Sequence, residues 1–183
     1  MEEVYAPQED SFLLMSCIIK EDLKGKRCLD MGCGSGVQSE AMARSGAADI
    51  TAADVNEGAL KATEERLGKL GKKVFLVKSD LFSNVSGLFD FVAFNPPYVP
   101  SDKIKWRDLD GGKDGREVID RFIEDLPARL VPGGACLLLI SSLNMEEEVK
   151  KRLEKKGFLV VVCAWKKLFF ETLFVMRAVK PMP

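Results

Sequence analysis

Short apolar runs alternate with stretches of helical periodicity along almost the whole chain. Such alternation builds a parallel sheet with helices on its faces, because parallel neighbours need a long crossover that a helix supplies. The spacing predicts strands over RCLDM (27–31), DITAAD (49–54), KVFLVKSD (73–80), LFDFVAF (88–94) and ACLLLI (135–140). Helices are expected over QEDSFLLMSCIIKEDL (8–23), VQSEAMARSG (37–46), VIDRFIEDLPARL (118–130) and MEEEVKKRLEKKG (145–157). A further helix runs from Asn56, as N-cap, to about Gly71, and Asp114 with Glu117 forms a capping-box pattern before the helix at 118. FLVVVCAW (158–165) and ETLFVMRAV (171–179) are joined by too few residues for a helical crossover and are expected to pair antiparallel. The expected fold is α/β: a doubly wound, Rossmann-like sheet of seven strands ending in an antiparallel hairpin. One domain is expected over 1–183, with residues 1–24 as an N-terminal cover segment.

Several chemistries are excluded by composition. The chain has no histidine, so neither a Ser-His-Asp nor a Cys-His mechanism can operate, nor can a histidine-ligated metal site. The five cysteines are scattered and never spaced as CxxC, which fits reduced thiols in a cytoplasmic protein and no metal site. A net charge of −1 offers no global attraction for nucleic acid. No apolar run approaches membrane-spanning length, and the acidic start MEEVYAPQED lacks the features of a signal peptide.

In DMGCGSG, Asp30 closes the first strand and Gly32, Gly34 and Gly36 form GxGxG, with Val37 where a dinucleotide fingerprint would place its third glycine. Glycines here let the backbone approach a ligand before the helix begins. Asp30 beside them would attract an ammonium and repel a pyrophosphate. Asp54 ends the second strand, where a carboxylate can accept both hydroxyls of a ribose. Asp80 ends the third and could accept from an adenine amino group, with Leu81 and Phe82 as apolar walls. Singly, each acid reads as a turn or cap residue. Together they describe a pocket for S-adenosylmethionine.

The fourth strand stops at Asn95-Pro96-Pro97-Tyr98. Neither proline can donate to a ladder, so the strand ends rigidly, beside the point where strand order reverses and ligands bind. An amino or amide nitrogen awaiting methylation has two N–H donors and a delocalised lone pair. The Asn95 side-chain oxygen and the Pro96 carbonyl can each accept one N–H, leaving the lone pair aimed at an activated methyl. Tyr98 can stack on the planar group and exclude water. No strong general base is needed before attack, because the proton can leave once the nitrogen is cationic.

With DMGCGSG ahead of it, NPPY resembles the motif pair of class I S-adenosylmethionine-dependent methyltransferases that modify amide or exocyclic amino nitrogens. More narrowly, YAPQEDSFLL and WRDLDGGKDGREVIDRF resemble the leading and post-NPPY segments of HemK-related protein glutamine N5-methyltransferases. The resemblance implies that Ser11 lies near the cofactor's tail, Asp30 and Gly32 at its methionine part, Asp54 at the ribose, and Asp80 and Leu81 at the adenine. It implies that Asn95, Pro96, Pro97 and Tyr98 hold the substrate amide, with Asn95 also binding the cofactor where it faces the methyl group. It is closest to the compact archaeal and eukaryotic branch, whose substrate is the GGQ glutamine of a class 1 peptide chain release factor. That branch commonly works with a small zinc-binding activator subunit that adds a strand to the sheet edge. KVFLVK is the expected edge here, with Phe75 and Val77 as contacts.

The rival reading is an adenine-N6 or cytosine-N4 DNA or RNA methyltransferase, since an exocyclic amine has the same two-donor geometry. Such an enzyme would need a basic groove, whereas the chain offers only the modest clusters KKRLEKK and WKK, and its near-neutral charge counts against this reading. A noncatalytic module that kept the fold is opposed by the intact Asn95, Pro96 and Asp54. SDKIKWRDLDGGKDG (101–115) is expected to cover the substrate entrance as a lid, with Gly111 and Gly112 as hinges and Trp106 closing over the site.

Overall fold

The computed structural model describes residues 4–100, 111–112 and 114–183. Its sheet comprises β1 (Arg27–Met31), β2 (Asp49–Asp54), β3 (Phe75–Lys78), β4 (Phe89–Phe94), β5 (Leu130–Ser141), β6 (Leu159–Lys167) and β7 (Thr172–Val179). They lie in the order β3-β2-β1-β4-β5-β7-β6, with β7 antiparallel to both of its neighbours. The seven-stranded sheet and its closing antiparallel pair are thus as the sequence predicts. The helices are α1 (Glu9–Ile18), α2 (Val37–Arg44), α3 (Glu57–Gly68), α4 (Glu117–Asp125) and α5 (Glu146–Lys155). α1, α2 and α3 pack in series, and α4 packs on α5.

Strand order reverses between β1 and β4. Their register pairs Met31 with Phe94, so the chain leaves both strands at one level and sets Gly32 beside Asn95. Phe122 of α4 is fully buried and supports this corner, its ring 4.6 Å from that of Phe94 and 5.2 Å from that of Phe82. The turn that follows α1 is tied to β7 by a two-pronged ion pair, Glu21 accepting from Arg177 at 2.7 and 3.0 Å. α1 itself packs on α2 and across β5, β6 and β7, and its start reaches the end of β4, where the Asn95 side chain donates to Asp10.

Three local expectations need correction. The N-cap of α4 is Arg116, with no side-chain capping bond, while Asp114 instead forms an ion pair with Arg116. β5 begins at Leu130, five residues before the expected Ala135 (135 − 130), and a register shift against β4 absorbs Pro132 and its glycines. α1 ends at Ile18 rather than Leu23, the chain turning through i→i+3 bonds from Lys20 and Glu21. Trp106 and most of the expected lid lie outside the described residues. Among the described residues, no helix is long and apolar enough to cross a membrane.

Candidate active site

A cavity of about 450 Å³ opens at the reversal point. Its wall includes Ser11, Gly32, Gly34, Asp54, Asp80, Leu81, Asn95, Pro96, Pro97 and Tyr98. Ten of the residues singled out in the sequence therefore meet around one space, from four different strand ends and one helix.

Asp30 and Gly36 do not line it. Asp30 sits behind the wall, its Oδ2 accepting from the Ser39 N–H at 2.9 Å and from Ser39 Oγ at 2.6 Å. Its side chain is directed into α2, tying the glycine loop to that helix. Burial lifts its carboxyl to about 7 from an ordinary 3.8, against the lowering effect of the Ser39 bonds. The native state thus keeps a proton that the unfolded chain releases above about pH 4. This group's contribution to stability is full below that pH and is lost as pH rises through 7. Asp30→Asn should therefore raise Tm more at pH 8 than at pH 5; equal shifts at both would contradict the burial account.

Gly36 serves packing. With φ at +77°, a Cβ there would stand 2.8 Å from Thr63 Cα of α3. Gly34 is the open one: at φ +48°, the nearest atom to an added Cβ is the Gly32 carbonyl oxygen at 4.0 Å. Its N–H donates to Asp54 Oδ2 at 3.0 Å, while Asp54 Oδ1 accepts from the Asn56 N–H at 2.9 Å. Burial raises the Asp54 pKa and these N–H groups oppose it. Each carboxylate oxygen retains a lone pair for a diol. Asp80 Oδ2 is engaged by Arg121 of α4 at 2.7 Å, leaving Oδ1 toward further donors. Leu81 adopts a left-handed φ of +48°, and its carbonyl accepts from the buried Ser79 hydroxyl at 2.6 Å. A strained non-glycine turn at a cavity wall is common where ligands are clamped.

The NPPY corner is held from below. Asn144, fully buried at the end of β5, donates from Nδ2 to the Tyr98 carbonyl at 2.7 Å and to the Gly115 carbonyl at 3.0 Å. Burial, then the charges of Asp10 and Glu171, hold the Tyr98 hydroxyl well above its ordinary pKa, so it remains a neutral phenol. Asn95 Nδ2 donates to Asp10 Oδ2 at 3.0 Å. Asn95 Oδ1 is buried with no hydrogen-bond partner among the described residues. A buried acceptor without a donor is costly unless a ligand supplies one. This corner can bind a planar N–H donor.

Residues 8–161 match the family model described as the methyltransferase small domain. A Methanocaldococcus jannaschii protein named as a protein N5-glutamine methyltransferase is 42% identical over 182 residues, covering 96% of this chain and 91% of its own. The human methyltransferase HEMK2 is 33% identical, over 97% of this chain and 90% of its own. The chain belongs to the HemK-related methyltransferases. A solved structure of similar fold is that of the E. cuniculi Mtq2–Trm112 complex, responsible for methylation of the translation termination factor eRF1. That likeness has a TM-score of 0.81 and 32% identity, covering 97% of this chain and 98% of the other.

Sequence reasoning missed several wall residues of this methyltransferase. Tyr5, Asp10, Gln38, Ser79 and Arg121 all line the cavity. Gln38 donates from Nε2 to the Ser11 carbonyl at 2.9 Å, and its buried Oε1 lacks a partner among the described residues. The start of α1 thus supplies acceptors to two amide side chains, Asn95 and Gln38, and leaves an oxygen of each unpaired. The EDS step was a visible signal for Ser11, but nothing local pointed from Asp10 to Asn95.

Proposed function

We propose that the protein methylates the side-chain amide nitrogen of a protein glutamine, that of the GGQ motif in a class 1 peptide chain release factor, with S-adenosylmethionine as donor. The unpaired Asn95 oxygen on the wall of a nucleoside-sized cavity carries this reading. The names of the relatives from Methanocaldococcus jannaschii and E. cuniculi support the choice of acceptor. The donor set fits the cofactor. Asp54 would accept the ribose hydroxyls, Asp80 Oδ1 the adenine amino group, with Leu81 against the ring. Gln38 Oε1 and the Gly32 turn would face the ammonium end, with Ser11 beside them.

When bound, S-adenosylmethionine supplies an electrophilic methyl carbon on a sulfonium. The protein orients the acceptor. Asn95 Oδ1 and the Pro96 carbonyl each take one N–H of the glutamine amide, which directs the nitrogen lone pair at the methyl carbon. Methyl transfer would leave the amide nitrogen cationic, and one of the protons held by Asn95 Oδ1 and the Pro96 carbonyl would then pass outward to solvent. Tyr98 and the Pro96–Pro97 corner exclude water from the amide plane.

A small zinc-binding activator subunit is the proposed partner, at the outer edge of β3. That strand pairs only with β2 among the described residues, and Phe75 on it is 61% exposed. An unpaired edge with an exposed aromatic suits strand addition. Phe75→Asp is expected to weaken activator binding at least tenfold, as loss of an aromatic anchor does, with cofactor affinity retained. Unchanged activator affinity would remove β3 from the interface.

The acceptor is tested by incubating the enzyme and labelled cofactor with a release factor, beside GGQ-mutant, DNA and RNA controls. Label on the wild-type factor alone supports the reading. Label found on nucleic acid only would overturn it in favour of an exocyclic amine.

A further inference from the structure

We propose that Asp10 is a positioning residue for methyl transfer: it holds the Asn95 amide in the orientation that presents oxygen, rather than NH2, to the acceptor nitrogen. This role rests on the amide-methylation reading above.

An asparagine amide is nearly symmetric in shape, and a half-turn about its last bond exchanges an acceptor for two donors with almost no steric change. For an acceptor group that is itself an NH2, that exchange is ruinous, since donor would then face donor. An enzyme relying on an asparagine oxygen therefore needs something that tells the two ends apart. A carboxylate does so, because it only accepts. Asp10 Oδ2 stands 3.0 Å from Asn95 Nδ2, and the reversed amide would set oxygen against oxygen at that distance.

The carboxylate is itself fixed. Asp10 is 2% exposed, on the first turn of α1. Its Oδ1 accepts from the Ser11 N–H at 2.6 Å and from Ser11 Oγ at 3.2 Å. The Tyr5 hydroxyl reaches both oxygens, at 3.3 and 3.2 Å. Asp10 therefore reads the amide from a rigid mount, and the end of Asn95 left over is the buried oxygen without a partner.

The arrangement makes a sign-specific test possible. In Asp10→Asn, the Ser11 N–H keeps the remaining oxygen on its own side, so the new NH2 faces Asn95 and turns its amide over. Methyl transfer to the release factor is compared in wild type, D10N, N95D and the D10N/N95D double variant. Cofactor affinity is measured by calorimetry, and side-chain amide resonances are followed in 15N–1H spectra. D10N is expected to lower kcat roughly 100-fold or more, with cofactor affinity kept and the Asn95 NH2 resonances displaced. N95D sets two carboxylates against each other and also falls. The double variant restores a donor–acceptor pair in reversed sense and leaves a carboxylate oxygen for the substrate. It should recover at least about tenfold over either single variant. A D10N enzyme with wild-type kcat, a double variant no better than the singles, or unmoved Asn95 resonances in D10N would overturn the role of Asp10. A wild-type enzyme that labels no glutamine would instead overturn the acceptor assignment, and the Asn95 spectra would still decide the orientation.

Discussion

Asn95→Ala is expected to lower kcat for methyl transfer about 100- to 1,000-fold, the usual cost of deleting one preorganised hydrogen-bonding group at a reacting atom. Cofactor affinity should be largely kept. Asn95 lies among wall residues that remain, and the groups proposed to hold the nucleoside, Asp54 and Asp80, come from other strands. Its own Nδ2 bond to Asp10 is lost, but Tyr5 and Ser11 continue to donate to that carboxylate. The stability cost is therefore about 1 kcal/mol, that of one hydrogen bond. Single-turnover kinetics with calorimetry separate the two quantities. A variant that transferred methyl at the wild-type rate would remove the NPPY corner from the chemistry.

The second large effect is on stability. Gly36→Ala should cost about 2–5 kcal/mol, combining a left-handed backbone on an L-residue with overpacking between α2 and α3. For a chain of this size that lowers Tm by on the order of 10 °C. The added methyl meets Thr63 Cα at 2.8 Å, so trimming that side chain by Thr63→Ala cannot relieve it. Gly34→Ala is the control, because nothing lies nearer its added methyl than 4.0 Å. It should melt closer to wild type and lose cofactor affinity instead, since the methyl occupies space at the cavity wall. Equal melting temperatures for the two variants would contradict this division of roles.

The glycines also show how far the sequence could be read. GxGxG at the end of a strand was legible as a ligand loop, and Gly32 and Gly34 do line the cavity. Gly36 looks the same in sequence, yet its conformation answers to a helix that comes later in the chain. Asp30 was legible as an acid beside the loop, but Ser39 claims its carboxylate from α2. Asp80 was legible as a strand-ending acid, while the Arg121 that engages it lies on α4. The Asp114–Glu117 capping box is only a pattern of residue types, whereas the chain's path into α4 makes Arg116 the cap.

By itself the sequence determined the strand–helix alternation, the closing antiparallel pair, the glycine loop and the rigid NPPY stop. Each of these is written in periodicity and backbone restriction within a few residues. Only the tertiary structure decided which end of the Asn95 amide faces the acceptor, because the deciding group, Asp10, lies 85 residues away. It arrives there only when α1 docks against α2 and across β5, β6 and β7. A hydrogen bond's direction depends on which partner is brought to it, and chain folding alone brings that partner.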